Sequence, residues 1–474
     1  MPWSPVFTAY RRLFATPGAL AFTCYGLIGR LSFSMLGVSL LTAIADRRHS
    51  YALAGTVAAA GLVGVALGMP LLGRLVDRYG QRRVTVPAAL ASAVPRASLP
   101  LLLHLGAPAW TLCAAALGAS VAPNLGGMAR ARWAHLHRAD PALLHRANAL
   151  EQALDELCYL TGPVLGMLLC TTLFPEAGLL AVSLLSATGA LLFATQRRTE
   201  PPLAPPPATG ARSPLRIRGV LLLVAVFLGT GVVFGSLEIT TLAWSAAHGR
   251  QSAAGLLLGL LAAGSGVSGL LFGLLPQAAA PVRRLLLSLA ALAALLLLPL
   301  SVAVLGGGTG GGIGLLAAAL FVAGTGTAPT MVSGLTLLQR LLPAATLNEG
   351  MAFAVSGIVT GISAGSALGG LLAQHERPGL GYLLPAGAAA LALLVALAGA
   401  HRLRPERAGA GAGGRGRAGT GVGSGAAAGS GSRPAAGPEN QLPPSAPGPT
   451  LPAWRARSAT CAATPPARRP RGRR

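Results

Sequence analysis

Long apolar runs separated by short polar segments follow one another along residues 19–400. A helix needs about 20 apolar residues to cross the hydrocarbon core of a bilayer, because each residue advances the helix by about 1.5 Å. The pattern predicts an all-α, polytopic membrane protein with twelve transmembrane helices, the first of them too long to be a cleaved signal peptide. The predicted spans are 19–45, 51–72, 84–105, 109–130, 157–174, 177–195, 220–243, 253–275, 285–305, 313–338, 350–373 and 380–400.

A polar, proline-rich connector at residues 196–219 divides the twelve spans into two groups of six. We expect residues 1–195 and 220–403 each to form a six-helix bundle. A weak repeat supports this division, because span four contains Ala122-Pro123 and span ten contains Ala328-Pro329. Residues 404–474 are rich in Gly, Ala, Pro and Arg with little apolar clustering, so we expect a disordered tail.

Composition agrees with a membrane protein, since 53% of the residues are hydrophobic, only 11% are charged and the mean hydropathy is +0.61. The net charge is +24, and all 37 basic residues are arginine. A chain without lysine has neither a Walker A lysine nor a Schiff-base lysine. We therefore expect no ATP hydrolysis through a P-loop in this chain. Ser and His are scattered without the spacing of a catalytic nucleophile and its base, and we expect no enzyme activity. The five cysteines show no metal-ligand spacing, and we expect no metal and no cofactor.

The arginines are distributed unevenly between alternate loops. With a cytoplasmic N-terminus, the outer loops carry only Arg47, Arg48, Arg250 and Arg377. The positive-inside rule then predicts a multi-pass protein of the plasma membrane with both termini in the cytoplasm.

The segment after span two reads Gly73-Arg74-Leu75-Val76-Asp77-Arg78-Tyr79-Gly80-Gln81-Arg82-Arg83. Gly73 allows a close helix approach, and Gly80 permits a turn with positive φ. We expect the loop to be anchored at the inner leaflet by Arg78, Arg82 and Arg83. The segment resembles the loop 2–3 signature of the major facilitator superfamily, G-x-L-x-D-R-x-G-R-[KR]-[RK]. The resemblance covers about residues 15–402 and implies duplicated six-helix halves that work by alternating access.

The resemblance further implies that Asp77 latches this loop against the start of helix eleven and biases inward-facing against outward-facing states. Residues 346–349, Thr-Leu-Asn-Glu, have the form of a capping box that would begin helix eleven with Thr346 and Glu349 as its cap. The chain departs from the signature at Gln81, where the family has a basic residue. The equivalent loop of the second half, 275–285, lacks the Gly–Asp–Arg core, so we expect latching on one side only.

Charged residues within the spans need a partner or a function, because an ionised group at the bilayer centre costs about 2.5–3.5 kcal/mol on insertion scales. Arg30 lies in span one and Glu238 in span seven, which occupy equivalent places in the two halves. We expect them to form a pair, which is either coupled to substrate or protons or a static salt bridge. Arg96 in span three either pairs with an acid on a neighbouring helix or marks where that span leans into a cavity.

Three acids lie near the start of span five: Glu151, Asp155 and Glu156. Asp140 followed by a proline has the pattern of an N-cap, so helix five is expected to begin before the membrane. We expect Glu151 to pair at the membrane surface with one of Arg130, Arg132 and Arg146. Asp155 or Glu156 is a candidate proton site, because partial burial and a like-charged neighbour both favour protonation.

Later in span five, Gly162-Pro163 and Gly166 match the end of a Gly-Pro motif. Many drug:proton antiporters of the superfamily carry that motif on helix five. The preceding glycines of the motif are absent here, so the match to antiporters is partial.

We expect proton-driven export of a small apolar or drug-like compound by a monomer whose partners are its substrate, the proton and the bilayer, with no nucleic acid. One alternative is a proton-coupled importer of a small nutrient, although polar candidates for such a cavity are few: Asn124, Gln152, Tyr159 and Trp244. The other alternative is a transporter-like membrane sensor or scaffold whose arginine-rich tail is the effector.

Overall fold

The computed structural model describes residues 10–203, 213–250, 253–276, 280–305, 312–373 and 378–403. Within these ranges every regular element is a helix, which confirms the predicted all-α fold class. Eleven helices in this part of the chain are long and apolar enough to cross a membrane, and the shorter apolar helix Ala109–Ala119 belongs to the remaining predicted span. The predicted disordered tail and residues 204–212 of the predicted linker lie outside the described ranges.

The six predicted spans of the first half appear as α1 to α7, because span four is divided in two. These helices are α1 Ala19–Arg48, α2 Tyr51–Tyr79, α3 Gln81–His104, α4 Ala109–Ala119, α5 Leu125–Leu136, α6 Pro141–Thr172 and α7 Ala177–Thr195. Helix α6 begins well before predicted span five, as expected from its N-cap. The side chain of Asp140 accepts hydrogen bonds from the backbone N–H groups of residues 142 and 143, each at 3.0 Å.

The second half appears as α8 to α15, because spans nine and ten are each divided. These helices are α8 Arg218–Ala247, α9 Ala253–Leu274, α10 Pro281–Leu295, α11 Leu297–Leu305, α12 Gly312–Gly324, α13 Thr327–Leu341, α14 Leu347–Ala373 and α15 Leu383–Ala398. Pro299 explains the interruption of span nine, because it has no N–H to donate to the carbonyl of Leu295, where α10 ends.

Span four is interrupted for the same reason, at Pro123. Proline cannot donate to the carbonyl four residues earlier, so the oxygen of Ala119 is left free where α4 ends. Arg96 of α3 donates to that oxygen. Asn124 caps the second segment, α5, by accepting a hydrogen bond from the N–H of Gly127 at 3.0 Å. Span ten is also interrupted beside its Ala-Pro pair, at residues 325–326.

Helices α8 and α14 cross at glycines spaced four residues apart. A Cβ atom at Gly231 would overlap the backbone oxygen of Ile358, and one at Gly361 would overlap that of Leu228. The two backbones are therefore in direct contact. Small residues at this spacing let membrane helices pack closely, which matters because apolar side chains gain little by leaving lipid for another helix.

Buried apolar side chains form separate clusters along the chain. Two clusters, which contain Phe227 and Trp244, lie within residues 220–403, and one that contains Ile44 lies within residues 36–179. A smaller cluster joins the two halves, where Met69 of α2 packs with apolar residues of α14. The division into two six-helix bundles stays a prediction.

Candidate functional site

The loop 2–3 segment forms a sharp turn between α2 and α3. Gly80, the single residue between these helices, has a φ of +95°, which residues with a side chain rarely adopt. The oxygen Oε1 of Glu200 caps the start of α3 by accepting a hydrogen bond from the N–H of Arg82 at 2.9 Å. Arg78, Arg82 and Arg83 are exposed. The positive φ is therefore confirmed, whereas contact of these arginines with lipid stays a prediction.

Asp77 connects α2 of the first half to the start of α14 in the second. Its Oδ1 accepts hydrogen bonds from the backbone N–H of Asn348 at 3.0 Å and from Nδ2 of the same residue at 2.8 Å. Its Oδ2 accepts one from the N–H of Glu349 at 2.8 Å. A carboxylate in this position pairs N–H groups that have no partner inside the helix and faces the positive end of the helix dipole. The implied contact is present, and its effect on the balance of states stays a prediction.

The predicted capping box at Thr346 is wrong. The hydroxyl of Thr346 donates to a backbone oxygen at 3.4 Å, and the N–H of Glu349 that it would have capped is bonded to Asp77. The cap comes from the other half because α2 approaches very closely. A Cβ atom at Gly73 would lie 2.7 Å from the oxygen of Asn348, so glycine is required for Asp77 to reach the helix end.

Gln81, the departure from the family signature, is buried and binds a buried cation. Its Oε1 accepts a hydrogen bond from Nε of Arg132 at 2.8 Å, and its Nε2 donates to the oxygen of Met128 at 3.1 Å. Arg132 also donates to Thr199 Oγ1 at 2.8 Å, and its guanidinium lies 3.9 Å from the ring centroid of Phe193. Burial lowers the pKa of Arg132 to about 10. A basic residue at position 81 would place a second cation beside Arg132 away from solvent.

The predicted pair of Arg30 with Glu238 is wrong. Nη1 of Arg30 instead lies 2.7 Å from Oε2 of Glu151 and 2.9 Å from Oδ1 of Asp155. Arg30 is the twelfth residue of α1, whereas Glu238 is the twenty-first of α8. At about 1.5 Å per residue, Glu238 therefore lies about 14 Å further along its helix than Arg30 does along its own. Glu238 is exposed on α8, and a role for it in transport stays a prediction.

Glu151 is fully buried, so its predicted pairing at the membrane surface is also wrong. Nε1 of Trp133 donates to its Oε1 at 2.7 Å, while Arg30 contacts its Oε2. Asp155 is shared by two arginines, since its Oδ1 contacts Arg30 and its Oδ2 accepts a hydrogen bond from Nη2 of Arg130 at 2.7 Å. Arg30, Arg130, Glu151 and Asp155 form an electrically balanced group between α1, α5 and α6, which we call the charge cluster.

Glu156 faces away from the charge cluster and reaches the second half of the chain. Its Oε1 accepts hydrogen bonds from Oγ of Ser265 on α9 at 2.8 Å and from Nε2 of Gln152 at 3.1 Å. Thr327, the first residue of α13, donates to Ser265 at 2.5 Å. A carboxyl group is thus bound by neutral donors across the boundary between the halves.

Arg96 pairs with no acid in the part of the chain that the structure describes, so the first of its two predicted roles is wrong. Nη1 donates to the hydroxyls of Ser92 at 3.3 Å and Ser186 at 3.0 Å, and Nη2 donates to the oxygen of Ala119. These contacts satisfy a buried cation with neutral acceptors. They also bind the free carbonyl at the end of α4, where a positive charge is favourable.

The partial Gly-Pro motif packs α6 tightly against α1. A Cβ atom at Gly162 would overlap Oγ of Ser34, and one at Gly166 would lie 2.6 Å from Oγ of Ser39. Pro163 lies inside α6 without ending it. The motif therefore brings the helix that carries Asp155 and Glu156 against the helix that carries Arg30.

The sequence did not identify Ser265 and Thr327 as site residues. Hydroxyl side chains are frequent in membrane helices and often form hydrogen bonds with their own backbone, so their presence alone predicts no site. Arg130 was recognisable from the sequence as a charged residue at the end of predicted span four. The sequence did not identify Asp155 as its partner. Among the described residues no group of three or more His, Cys, Asp or Glu side chains is placed to bind a metal ion.

Comparison with known proteins assigns this arrangement to a family. The sequence model of the Major Facilitator Superfamily matches residues 22–312. The chain is 28% identical over 386 residues to the uncharacterized MFS-type transporter y4rN of Sinorhizobium fredii, an alignment that covers 77% of this chain and 90% of that protein.

Solved structures show the same fold. A bacterial homologue of the iron transporter ferroportin in an outward-facing state superposes with a TM-score of 0.66 at 15% identity, covering 81% of this chain and 99% of that one. The proton:xylose symporter XylE superposes with a TM-score of 0.61 at 14% identity, covering 79% and 94%. At such identities the likeness concerns the fold alone. Because the family model spans more than half of its length, the chain belongs to the major facilitator superfamily.

Proposed function

We propose that the protein is a proton-coupled secondary transporter that moves a small molecule across the plasma membrane by alternating access of its two halves. The observation that carries the proposal is the hydrogen bond between Glu156 and Ser265, which links a titratable group of the first half to the second. The absence of lysine from the sequence agrees with transport that is not driven by ATP hydrolysis at a P-loop.

Several contacts between the halves lie at the predicted cytoplasmic ends of the helices, whereas the bond between Glu156 and Ser265 lies near the middle of α9. In addition to the Asp77 bonds, the hydroxyl of Tyr10 donates to the oxygen of Leu270 at 2.7 Å, and Nδ2 of Asn148 donates to Oε1 of Gln339 at 2.8 Å. Alternating access requires that these bonds break when the cytoplasmic side opens. The contacts at these ends support the interpretation that the cytoplasmic side is closed in this conformation.

Glu156 is suited to couple a proton to that movement. When the halves separate at the predicted cytoplasmic ends, α6 and α9 move apart and Glu156 loses the hydroxyl of Ser265. The proton affinity of the carboxyl group must then differ between the two states, because hydrogen bonds to a buried carboxylate stabilise its charged form. A ligand that binds two conformations with unequal affinity shifts their balance, which is the thermodynamic requirement for coupling.

Two directions of transport have support. The partial Gly-Pro motif favours proton-driven export of a drug-like compound. The charge cluster favours proton-coupled uptake of a polar nutrient, because an apolar substrate would not require charged side chains in the interior. A sensor or scaffold needs the tail for its output, so deletion of residues 404–474 should leave flux intact in a transporter and abolish the output of a scaffold.

Proteoliposomes that contain an internal pH indicator test the proposal with a panel of a lipophilic cation, a hexose and benzoate. We expect at least one compound to move protons through the wild-type protein. Glu156→Gln should lose that proton movement while still exchanging the compound across the membrane, because the loaded carrier can still change state.

Asp46→Asn is the matched control, since Asp46 is an exposed acid near the end of α1. It should transport as the wild type does. Proton movement through Glu156→Gln at the wild-type rate, with unchanged pH dependence, would contradict the proposal. Glu238→Gln in the same assay tests the separate prediction that Glu238 takes part in transport.

A further inference from the structure

Asp155 occupies the position of a ligand between two arginines. Its two oxygens bind different guanidinium groups, at 2.9 Å from Nη1 of Arg30 and 2.7 Å from Nη2 of Arg130. The arginines come from α1 and α5, so a carboxylate placed between them joins two helices. Planar guanidinium groups match the geometry of a carboxylate, which makes arginine the usual residue where such groups are recognised.

Both guanidinium groups retain donors. Nη2 of Arg30 and Nε of Arg130 are buried and have no hydrogen-bond partner among the described residues. Arg30 is 9% exposed and Arg130 is 4% exposed, so water competes little for these donors. The first turn of α5 packs closely against them, because a Cβ atom at Gly126 would lie 3.2 Å from Cδ of Arg30 and 3.4 Å from Nη1 of Arg130. An anion therefore reaches these donors only by taking the place of a carboxylate that already lies between the arginines.

The exposed edge of the charge cluster is at Asp155, whose side chain is 19% exposed while the side chain of Glu151 is fully buried. On α6, Gly162 faces α1 and Glu156 faces α9. At about 100° per residue, Asp155 and the half-exposed Tyr159 point between those two directions. They therefore face the space between the halves, where a transported molecule passes.

The net charge of the cluster determines whether a proton must bind together with an anion. Among the described residues, the charged and titratable groups around Asp155 are Arg30, Arg130, Glu151, Glu156, Cys158 and Tyr159. The two arginines and the carboxylates of Glu151 and Asp155 cancel. One added anion would leave an uncompensated negative charge in a low-dielectric site, and one proton on Asp155 restores neutrality.

We propose that Arg30 and Arg130 bind the carboxylate of a small organic anion, which replaces the carboxylate of Asp155 as that residue takes up a proton. Asp155 is then the occupant of the site when no substrate is bound. The proton and the anion favour each other's binding, so the loaded carrier crosses with both as a neutral pair, while Glu156 governs the return of the empty carrier. This inference rests on the proposed function, which it deepens by naming the substrate class and by favouring uptake over export under an inward proton gradient.

Binding to the purified full-length protein in nanodiscs tests the inference, with acetate and benzoate as probes and acetamide and benzamide as their neutral counterparts. We expect the carboxylates, and not the amides, to raise the melting temperature. Calorimetry in buffers of different ionisation heat should show uptake of about one proton per carboxylate. Affinity should then increase about tenfold for each unit by which the pH is lowered, as linkage of one proton requires.

Variants separate the site from a structural effect. Asp155→Asn should bind carboxylates without proton uptake and without the pH dependence, because its side chain is already neutral. Arg130→Gln should lose binding, and the charge-balanced double variant Arg130→Gln with Asp155→Asn should lose it while retaining a folded protein. Arg340→Gln, which removes an exposed arginine, is the matched control and should bind as the wild type does.

Three results would overturn the inference: no response to either carboxylate, an equal response to the amides, or carboxylate binding by the double variant at the wild-type affinity. Because the readout is binding to purified protein, it is independent of the flux measured with Glu156→Gln. The anion site and the proposed coupling through Glu156 can therefore fail separately.

Discussion

Replacing Gly73 by alanine tests whether the close approach of α2 to α14 keeps the halves joined. The added Cβ would lie 2.7 Å from the oxygen of Asn348 and 2.8 Å from Cα of Glu349, well inside the 3.4–4 Å of ordinary contact. Both contacts are backbone atoms, which cannot rotate away, so the helices must separate. Overpacking of this kind costs about 1–3 kcal/mol. The cost applies only while the halves are joined. It should therefore shift the equilibrium between joined and separated halves towards separation by about 5- to 150-fold.

A cysteine at position 69 reports the opening. Met69 is 6% exposed and belongs to the apolar cluster that joins α2 to α14, so a maleimide reaches Met69→Cys only when the halves separate. In a background without the chain's own cysteines, Gly73→Ala should raise the labelling rate by about 5- to 150-fold.

Gly55→Ala is the control, because Gly55 lies on the same helix with nothing within 4 Å of an added Cβ. It should leave the labelling rate unchanged and stabilise α2 by about 0.5–1 kcal/mol. Equal labelling rates for the two alanine variants would refute the reasoning, since both carry the same chemical change and only one meets a neighbour.

Two further variants test the packing and the buried cation. Gly231→Leu should destabilise the protein by more than about 3 kcal/mol, because the backbone of α14 occupies the Cβ position, whereas Gly370→Leu, with nothing within 4 Å, should keep the wild-type melting temperature. Gln81→Arg restores the basic residue of the family signature and should nevertheless destabilise by about 3–5 kcal/mol, because it buries an unpaired cation beside Arg132. Combining it with Arg132→Gln should recover most of that loss in a thermal double-mutant cycle, and no recovery would show that charge is not the reason for Gln81.

The positions of the spans could be predicted because bilayer thickness limits the length of an apolar run. Helices α1, α2, α4 and α7 begin at the predicted residues. The early start of α6 could also be predicted, because Asp140 and the proline after it form a local signal that needs no knowledge of the rest of the fold.

The charged partners could not be predicted in the same way, because pairing depends on the depth and rotation of each helix. Arg30 and Glu238 occupy equivalent spans but different depths, which the residue count along each helix already indicated. Glu151 was assigned to the membrane surface because the sequence does not show that Arg30 and Trp133 would enclose it.

Caps and carbonyl partners supplied by distant residues had no local signal. The Thr346 capping box has the correct local pattern, yet Asp77, 271 residues away from Asn348, binds the helix end instead. Likewise, Pro123 indicates that span four is interrupted, but nothing near it in the sequence identifies Arg96 as the donor to the freed carbonyl. The predicted spans 109–130, 285–305 and 313–338 ran through breaks that the structure shows after Ala119, Leu295 and Gly324, and tertiary contacts determined what binds at such ends.

Distances between spin labels on the two halves test the central claim, that the halves rock about their centre and that Asp77 favours closure of the predicted cytoplasmic side. One label pair replaces the exposed His135 and Arg340 at the predicted cytoplasmic ends, and the other replaces Trp110 and Leu305, which are 72% and 85% exposed at the predicted outer ends. With Asp77→Asn, the distance between labels 135 and 340 should lengthen while that between 110 and 305 shortens. Unchanged distances, or a lengthening of both pairs together, would contradict alternating access controlled by this contact.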